Sequence, residues 1–424
     1  MMKSVCILGL GYIGLPTGAL LANSWYRVMG VDTDARVVET VNRGMVHFAE
    51  PDLEVLVQAA VAAGRLRAFD RPVPADVYMI CVPTPFHGNG TIPQPNLDYV
   101  MDATRSIAGL LKPGDFVILE STSPVGTTEA MQQLLRESGV DVDKIHMAYC
   151  PERVLPGRIV AELVENDRVV GGLSPQAAKA VAGFYRTFVR GEVLETDART
   201  AEMCKLAENS YRDANIAFAN ELSMICAKEG IDVWNLIRLA NRHPRVNILQ
   251  PGAGVGGHCI AVDPWFIAAR DPENSRLIQT ARSVNTRKTA WVTEQIRGRA
   301  LRAAEQTGRS PKIACLGLAF KPDVDDLRES PAVQVASELH GEGFEVVAVE
   351  PNLDSHEALA LVSLEEALES ADVVAILVRH RQFVSGEARK ELAGAGALDF
   401  CGALGFSPQA CGYTTEDDVR AAVF

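Results

Sequence analysis

The chain has 424 residues, enough for two or three domains with full hydrophobic cores, and its 47% hydrophobic and 22% charged residues are ordinary for a soluble globular protein. Its net charge of -13 argues against nucleic acid as the main partner. No apolar run is long enough to span a membrane, so we expect no membrane partner and no signal peptide. Nine scattered cysteines without CxxC pairs favour reduced thiols in a cytoplasmic protein, and we expect no metal site.

The first motif joins two predicted strands. An apolar run at residues 4–8 leads into Gly9-Leu10-Gly11-Tyr12-Ile13-Gly14 and a helical stretch, and a second strand at residues 27–31 ends at Asp32. Such glycines let the backbone approach a pyrophosphate at a helix N-terminus, and the acid bonds the ribose hydroxyls. Because an acid repels a 2′-phosphate, the motif predicts NAD rather than NADP. The alternative is a glycine turn that only tightens the helix against the strand.

Three further apolar strands end in polar turns. The turns are Pro83-Thr84-Pro85, Ser121-Thr122-Ser123-Pro124 and Pro151-Glu152-Arg153-Val154. Doubly wound sheets bind ligands at the carboxyl ends of their strands, so these turns are predicted to line a binding site. A hydroxyl-rich turn could instead cap the next helix, which is our expectation for Thr127 and Thr128.

From about residue 200 the apolar period changes to 3.6 residues. Lys205, Asn209 and Arg212 are spaced at i, i+4 and i+7, so they share one helix face. A polar stripe is usually a solvated face, but the rest of this helix is apolar enough to favour a stripe that lines a wet cleft. The cationic run Asn241-Arg242-His243-Pro244-Arg245 follows in an acidic protein and suits an anionic ligand.

Four glycines within residues 252–257 lead to Cys259, and Asp263 lies four residues further on. Glycines cost backbone entropy and pack poorly, so they indicate a sharp bend or a close approach of the backbone to a ligand. Most cysteines are small buried hydrophobes, as Cys6, Cys81 and Cys315 are expected to be. On this loop, Cys259 is instead predicted to be an activated nucleophile.

A helical stretch at about residues 277–305 precedes a second strand–turn–helix unit. The run from Lys312 to Pro322 lacks the complete glycine fingerprint, and strands at residues 344–349 and 372–378 follow. We interpret this region as a smaller α/β domain that binds another phosphate-bearing ligand. Lys321 and Arg328 are its candidate anion contacts, although either could be an exposed surface charge.

Eight sequence blocks together resemble the UDP-glucose/GDP-mannose dehydrogenase family, and most of all its bacterial UDP-N-acetyl-D-mannosamine branch. They are GLGYIGLP, PTP, ESTSPVG, PERVLPG, TAEMCKLAENSYRDANIAFANEL, ANRHPRVNILQPG, GVGGHCIAVDPWF and GLAFKPDVDDLRESPA. The resemblance covers nearly the whole chain and is weakest beyond about residue 350. It implies an α/β fold with two Rossmann-like doubly wound domains joined by a helical dimerisation region: an NAD-binding domain (1–198), a central region with the cysteine loop (199–306) and a UDP-sugar-binding domain (307–424).

The resemblance also implies the reaction, a four-electron oxidation of the sugar C6 alcohol to a carboxylate with two NAD in succession, for surface polysaccharide biosynthesis. Cys259 would carry a thiohemiacetal and then a thioester, and the Lys205 ammonium would stabilise oxyanions and favour the thiolate. Asn209 and Asp263 would orient the substrate oxygen and the lysine. Glu152 and Thr122 would position the hydrolytic water.

The motifs and the resemblance together assign the binding residues. Cofactor-binding residues are Gly9, Gly11, Tyr12, Ile13, Gly14, Asp32, Arg36, Thr84, Thr122 and Arg328. Substrate-binding residues are Arg153, Val154, Lys205, Asn209, Arg212, His243, Arg245, Gly256, Phe320 and Lys321. In the homodimer that the family implies, His243 and Arg245 are expected to reach the site of the other subunit.

One position departs from the family pattern, and three alternatives stay open. Glucose-specific relatives carry a second carboxylate four residues after the equivalent of Glu152, where this chain has Pro156. The substrate could be UDP-N-acetylglucosamine or UDP-glucose. The chain could also be an inactive nucleotide-sugar-binding protein, which would be expected to lack Cys259 or Lys205. A generic β-hydroxyacid dehydrogenase would share the first domain but would need neither the thiol nor a second α/β domain.

Overall fold

The computed structural model describes residues 3–48, 50–87, 92–155, 157–257 and 259–405. The chain divides into two compact units, the first from Met1–Glu208 with Trp265–Pro272 and the second from Asn209–Pro264 with Glu273–Phe424. Within the described ranges, no helix is both long enough and apolar enough to cross a membrane. Pro156 and His258 lie outside the described residues.

The first unit is built on one sheet. Its described strands are β1 (Ser4–Leu8), β2 (Arg27–Val31), β3 (Leu66–Phe69), β4 (Val77–Ile80), β7 (Phe116–Leu119), β8 (His146–Tyr149), β9 (Arg168–Gly172) and β10 (Val193–Asp197), with a separate hairpin of β5 (Phe86–His87) and β6 (Gln94–Pro95). They lie in the order β10-β9-β8-β7-β4-β1-β2-β3, and every pair is parallel except β8 with β9. The central order is that of a dinucleotide-binding doubly wound sheet.

Helices cover both faces of this sheet. They are α1 (Gly14–Asn23), α2 (Ala35–Asn42), α3 (Leu53–Ala62), α4 (Asp98–Ile107), α5 (Thr127–Glu137), α6 (Ile159–Glu165) and α7 (Pro175–Tyr185), with short 3₁₀ helices at Ala108–Leu110 and Val142–Lys144. Because the strands are covered on both sides, β1 and β4 are nearly continuous apolar runs and are buried almost throughout. Two separate apolar clusters form, one on each face.

Two helices of 32 residues dominate the middle of the chain. The helices here are α8 (Ala198–Glu229), α9 (Val233–Ala240), α10 (Asp263–Arg270) and α11 (Arg276–Thr307). The α8 helix begins in the first unit and continues into the second. Gly308, with a φ of 70°, ends α11 in the left-handed conformation that glycine tolerates best.

The second unit contains a smaller parallel sheet with the order β13-β12-β11-β14-β15. Its elements are β11 (Lys312–Leu316), α12 (Pro331–Gly341), β12 (Glu345–Val349), β13 (Ala360–Leu361), α13 (Leu364–Ser370), β14 (Val373–Ile376), a 3₁₀ helix (Arg381–Val384), α14 (Gly386–Gly394) and β15 (Leu398–Asp399). The predicted fold class of two doubly wound domains with a helical region is therefore confirmed. The strand predicted at 372–378 is shorter because the amides of Leu377 and Val378 both turn to the Leu316 carbonyl.

The prediction that Thr127 and Thr128 cap a helix was wrong. Gly126 is the N-cap residue of α5, and both threonines lie inside the helix. The cap comes instead from the carboxylate of Glu202 on α8, which accepts hydrogen bonds from the amides of Gly126 (2.6 Å) and Thr128 (2.8 Å). A carboxylate suits the first amides of a helix, which have no carbonyl partner within the helix, but this carboxylate comes from more than 70 residues away along the chain.

Candidate active site

The turn after β1 is held tightly by its first and last glycines. Gly9 has a φ of 93°, and its amide donates to the Val31 carbonyl at 2.8 Å. A Cβ on Gly9 would lie 2.6 Å from the Cys81 carbonyl oxygen, and a Cβ on Gly14 would overlap the carbonyl oxygen of Gly9. Both positions therefore require glycine so that the turn and α1 can pack onto the sheet.

The middle of this turn is open. Gly11 is exposed, and a Cβ there would meet no atom within 4 Å. The half-exposed Asp32 accepts the Leu10 amide on Oδ2 at 3.0 Å and the Asp34 amide on Oδ1 at 2.9 Å, which orients its carboxylate. Open space beside Gly11 at the start of α1, together with an oriented carboxylate after β2, fits the pyrophosphate and ribose of a dinucleotide.

Aromatic rings lie beside the turn. The Tyr12 ring stacks on Phe48 with 4.3 Å between ring centroids, and His47 meets Phe48 edge to face. Burial lowers the pKa of His47, although the nearby carboxylate of Asp32 acts to raise it. Sequence reasoning missed His47 and Phe48, whose only signal was a pair of adjacent aromatic residues after a helix. Arg36, predicted to bind cofactor, is exposed and pairs with Asp34 at 2.8 Å.

Two of the predicted polar turns are joined directly. The Thr84 hydroxyl donates to the carbonyl of Thr122 at 2.8 Å, and the Ser121 hydroxyl donates to the carbonyl of Val82 at 2.7 Å. The structure thus brings together the segments after β4 and β7, as the parallel strand order requires.

Beneath these turns lies a buried acid that sequence reasoning did not single out. Glu120 accepts hydrogen bonds from the Tyr185 hydroxyl at 2.6 Å and the Cys81 thiol at 3.3 Å. Burial raises the pKa of Glu120 to about 7, against the lowering effect of the Arg168 guanidinium. The only sequence signal was a carboxylate at the end of an apolar strand.

The turn after β8 carries two ion pairs. Glu152 is buried and contacts Arg168 at 2.7 Å, and its other oxygen accepts the Arg153 amide at 2.5 Å. The Arg153 guanidinium binds Glu208 through two nitrogens, at 3.1 and 2.7 Å. Val154 is half-buried beside it. Any role of Glu152 as a base would therefore be exercised from within an ion pair.

In the second unit, three predicted residues come together around the thiol loop. The Asp263 amide donates to the Cys259 carbonyl at 2.8 Å, and α10 begins at Asp263, four residues after the half-buried cysteine. The Asn209 amide group donates to Asp263 Oδ2 at 2.5 Å, and both side chains are buried. Lys205, also buried, lies one turn before Asn209 on α8 and so belongs to the first unit, and Arg212 is exposed on the same helix.

Three of the four glycines before Cys259 are needed because the loop packs closely against protein. A Cβ on Gly254 would overlap the Thr289 hydroxyl of α11. A Cβ on Gly256 would lie 2.5 Å from the Glu329 carbonyl oxygen, and one on Gly257 would lie 2.9 Å from the Phe320 ring. The structure therefore brings Gly256 and Phe320 together, as two of the predicted substrate residues.

The remaining predicted contacts are on loops. The Gly257 amide donates to the Arg328 carbonyl at 3.1 Å, and the Lys321 ammonium lies 5.8 Å from the Phe320 ring centroid. His243 and Arg245 are exposed, and the Arg245 amide donates to His243 Nδ1 at 3.3 Å. Among the residues that the structure describes, no group of three or more His, Cys, Asp or Glu could hold a metal ion.

Comparison with known proteins gives matches along most of the chain. Models of the UDP-glucose/GDP-mannose dehydrogenase family match with the NAD binding domain at residues 3–189, the central domain at 199–287 and the UDP binding domain at 314–404. The UDP-N-acetyl-D-mannosamine dehydrogenase of Yersinia pestis is 52% identical over 401 residues, covering 90% of this chain and 94% of that protein.

Two further matches bear on the sugar. The NDP-N-acetyl-D-galactosaminuronic acid dehydrogenase of Ralstonia nicotianae is 51% identical over 395 residues, covering 90% of this chain and 92% of its own. The solved structure of UDP-D-ManNAc dehydrogenase from Pyrococcus horikoshii superposes with a TM-score of 0.86 at 37% identity, covering 97% of this chain and all of that one.

Proposed function

Because the chain belongs to the UDP-glucose/GDP-mannose dehydrogenase family, we propose that it oxidises UDP-N-acetyl-D-mannosamine at C6 to UDP-N-acetyl-D-mannosaminuronate, with NAD as electron acceptor. The observation that carries the proposal is the arrangement around Cys259. This half-buried residue follows a glycine-rich stretch, its carbonyl accepts the backbone amide of Asp263, and the Asp263 carboxylate is held by Asn209 in a buried pair. The names of the Yersinia pestis and Pyrococcus horikoshii relatives support the choice of sugar.

NAD supplies the hydride acceptor when it is bound. Gly11 leaves the space that a pyrophosphate needs, and Asp32 presents an oriented carboxylate to a ribose. Overall, one alcohol, two NAD⁺ and one water give one carboxylate, two NADH and three protons. The first oxidation yields an aldehyde, which has no second hydride to give until a nucleophile adds to its carbonyl carbon.

Cys259 provides that nucleophile in our proposal. Its thiolate forms a C–S bond to the aldehyde carbon, and the resulting thiohemiacetal can lose hydride from the same carbon to leave a thioester. Water then attacks the thioester carbon, the C–S bond breaks, and the carboxylate and the thiolate are released. This sequence explains why a double oxidation needs a thiol while a single alcohol oxidation does not.

Neighbouring residues orient and stabilise these species. We assign to the Lys205 ammonium the stabilisation of the developing oxyanions. Asp263 and Asn209 hold each other through a hydrogen bond of 2.5 Å. Thr122 and Glu152 position the hydrolytic water. Because Glu152 is held in an ion pair with Arg168, it orients the hydrolytic water at least as much as it accepts a proton from it.

Binding of the nucleotide sugar is assigned to the second unit and to loops. The UDP binding domain model covers residues 314–404, which include Phe320 and Lys321. These residues contact UDP together with Gly256, and Arg212 contacts the sugar or the phosphates. Arg153 and Val154, in the turn after β8, contact the sugar, and the Arg153 guanidinium is held by Glu208.

We also propose a homodimer that uses α8. Tyr211, Phe218 and Ile225 repeat every seven residues on this helix and are 71%, 53% and 51% exposed, a stripe that suits a helix-on-helix interface. His243 and Arg245 act on the partner's substrate. The scattered cysteines and the use of NAD favour the cytoplasm as its location.

The dimer proposal is tested by complementation. Mixed dimers of Arg245→Ala and Cys259→Ala chains hold one site with both residues intact only if Arg245 acts across the interface. Recovery of activity on mixing is expected. Inactivity of well-mixed heterodimers would assign each site to a single chain.

The sugar is tested by counting NADH per molecule of UDP-sugar. We expect two NADH per UDP-N-acetyl-D-mannosamine and a kcat/KM at least about tenfold above that for its epimers, since one misplaced hydroxyl leaves a polar group unpaired. UDP-N-acetylgalactosamine is included because of the Ralstonia nicotianae relative. A higher kcat/KM for that sugar, for UDP-N-acetylglucosamine or for UDP-glucose would replace the proposed substrate.

The thiol is tested with Cys259→Ser. Binding of NAD and UDP-sugar should persist while turnover falls by about 1,000-fold or more, because a hydroxyl is the poorer nucleophile. Mass spectrometry should find a sugar-sized adduct on the peptide that carries Ser at position 259. The matched control is Cys401→Ser, also half-buried but in the turn after β15, which should turn over normally. Wild-type turnover of Cys259→Ser would contradict the mechanism.

A further inference from the structure

A ladder of buried polar side chains joins α8 to α11 and ends on the thiol loop. Arg282 contacts Asp213 at 2.7 Å, and the Asn285 amide group donates to the same Asp213 oxygen at 2.7 Å. Asn285 Oδ1 accepts from the Asn220 amide group at 2.9 Å, and Asn220 Oδ1 accepts the backbone amide of Gly252 at 2.9 Å. All four side chains of this polar ladder are buried.

The spacing along each helix makes the ladder possible. Asp213 and Asn220 are seven residues apart on α8, and Arg282 and Asn285 are three apart on α11, so each pair shares a helix face. The two helices therefore alternate along the ladder: Asn220 on α8 donates to Asn285 on α11, which in turn donates back to Asp213 on α8.

The ends of the ladder determine how both amides are oriented. The backbone amide of Gly252 can only donate, so the oxygen of Asn220 must face it. The nitrogen of Asn220 then faces the oxygen of Asn285, whose nitrogen faces Asp213, an acceptor when ionised. Neither amide can flip without losing hydrogen bonds at both of its ends.

Stability does not explain this arrangement. A buried ion pair with buried amides costs more desolvation than apolar side chains of the same volume would. Among the described residues, Asp213 Oδ2 and Arg282 Nε have no hydrogen-bond partner. Burial also raises the pKa of Asp213 in spite of Arg282 beside it. Leucine and alanine at these positions would make a more stable contact between the two helices. We therefore look for a role of the ladder other than stability.

That role follows from where α8 touches the thiol loop. Asn220 holds Gly252 at the start of the loop, and Asn209 holds Asp263 just after Cys259. Asn209 and Asn220 are eleven residues apart, three helical turns, and so lie on one face of α8. One helix is thus hydrogen-bonded to this segment both before and after the cysteine.

We propose that Asn220 and Asn285 are positioning residues that set the place of the Cys259 thiol, Asn220 by direct contact with its loop and Asn285 by orienting Asn220. The proposal rests on the catalytic thiol proposed above. Rigid support of a reacting group matters because a displacement of about 1 Å can cost about 100-fold in rate.

The first test separates kcat from KM in Asn220→Ala and Asn285→Ala. We expect kcat to fall about 10- to 100-fold in Asn220→Ala and less in Asn285→Ala, with KM for NAD unchanged, since the loop is displaced and the cofactor turn is not. Asn220→Asp, which keeps an oxygen for the Gly252 amide, should recover part of the loss.

The matched control is Ser223→Ala. It removes the hydrogen bond from Lys288 to Ser223 (2.8 Å), which joins the same two helices without reaching the loop. Its kcat should stay close to wild type even if its Tm falls. An equal loss of kcat in Ser223→Ala and Asn220→Ala at matched Tm would overturn the proposal, because activity would then follow helix stability alone.

The second test needs no turnover. The rate of Cys259 alkylation by iodoacetamide, followed by peptide mass spectrometry, should rise several-fold in Asn220→Ala and stay unchanged in Ser223→Ala, because a released loop exposes its half-buried thiol. A wild-type alkylation rate together with a wild-type kcat in Asn220→Ala would refute the proposal that Asn220 positions the thiol loop. If Asn220→Ala does not fold, Asn285→Ala and Asn220→Asp decide by the same two readouts.

Failure of the proposed function would look different. Fully alkylated wild-type protein would then keep its turnover, whereas the alkylation rates of the variants would still report whether the ladder holds the loop.

Discussion

The two sheets begin with the same turn. The Gly9 amide donates to Val31 at 2.8 Å in the first, and the Gly317 amide donates to Val349 at 2.8 Å in the second. Both glycines have positive φ, 93° and 87°. In each unit the amide that follows the glycine donates to the carboxylate after the next strand. The backbone thus builds the same start of a dinucleotide site twice.

Beyond this shared turn the two regions differ. The helix begins at Gly14 in the first, directly after the turn, but only at Pro331 in the second. Asp32 stays half-exposed, whereas Glu350 is buried and bonded to His380 at 3.0 Å. The position that would bond a ribose is therefore open in one region and filled by a histidine in the other. The turn alone does not make a dinucleotide site. Whether a ribose can bind depends on whether the carboxylate after the second strand is accessible.

The largest effect is expected from the glycines of the two turns. Gly14→Ala should weaken NAD binding by about 100-fold or more, because its Cβ would overlap the Gly9 carbonyl. Gly317→Ala would overlap Val378 and should lower Tm, yet leave the Kd for NAD unchanged. Calorimetric titration with NAD checks both. Equal weakening by the two substitutions would contradict the division of roles.

Two buried carboxyls should give the two regions opposite pH dependence. Burial raises the pKa of Glu120 from 4.5 to about 7. A raised pKa means that the folded state holds the proton more tightly, so this contribution to the free energy of unfolding is complete below pH 4.5 and is lost as pH rises to 7. For Glu350 burial acts to raise the pKa, but hydrogen bonds from His380 and backbone amides outweigh it and lower the pKa to about 2.

The lowered pKa of Glu350 reverses the sign, so its contribution is present above pH 4.5 and is lost as pH falls towards 2. Each effect is on the order of 3 kcal/mol. Denaturant unfolding across this pH range should show both losses. Glu120→Gln should remove only the one above pH 4.5 and Glu350→Gln only the one below. If either variant keeps the wild-type profile, the corresponding assignment is wrong.

A smaller effect is expected on cofactor choice. Asp32→Ala should reduce the preference for NAD over NADP by about tenfold, since the carboxylate that repels a 2′-phosphate is gone. Glu350→Gln, at the matching position of the second sheet, should leave that ratio of kcat/KM values unchanged. A ratio that stays constant in Asp32→Ala would show that another group selects the cofactor.

The smallest effect concerns helix caps of the same type in the two regions. Ser174 and Ser330 each precede a proline at the first helical position, and each accepts an amide of the first turn. Ser174→Ala should cost about 1 kcal/mol. Ser330→Ala should cost more, because the Ser330 hydroxyl also donates to the Leu318 carbonyl at 2.6 Å. Equal changes in the free energy of unfolding would contradict that additional role.

Much of the fold could be predicted because its signals are local. The strand–glycine–helix pattern before Asp32, the thiol loop and the second α/β unit are each continuous in sequence, and the family prediction is confirmed by the matching family models. The domain boundaries 1–198, 199–306 and 307–424 stay a prediction, and so do the roles of the site residues. The two compact units follow a different division, since α8 runs through both.

The amino-acid sequence by itself determined where the backbone must be glycine and where an acid ends a strand. It also determined which cysteine lies on a glycine-rich loop, whose ordering costs backbone entropy. Only the tertiary structure decided the partners of the polar side chains: Glu202 as the cap of α5, Arg168 beside Glu152, and Asn220 on the amide of Gly252. The reason is physical. Hydrophobic period and turn chemistry act over a few neighbouring residues, whereas these hydrogen bonds join groups 16 to 76 positions apart and exist only after packing has excluded water from them.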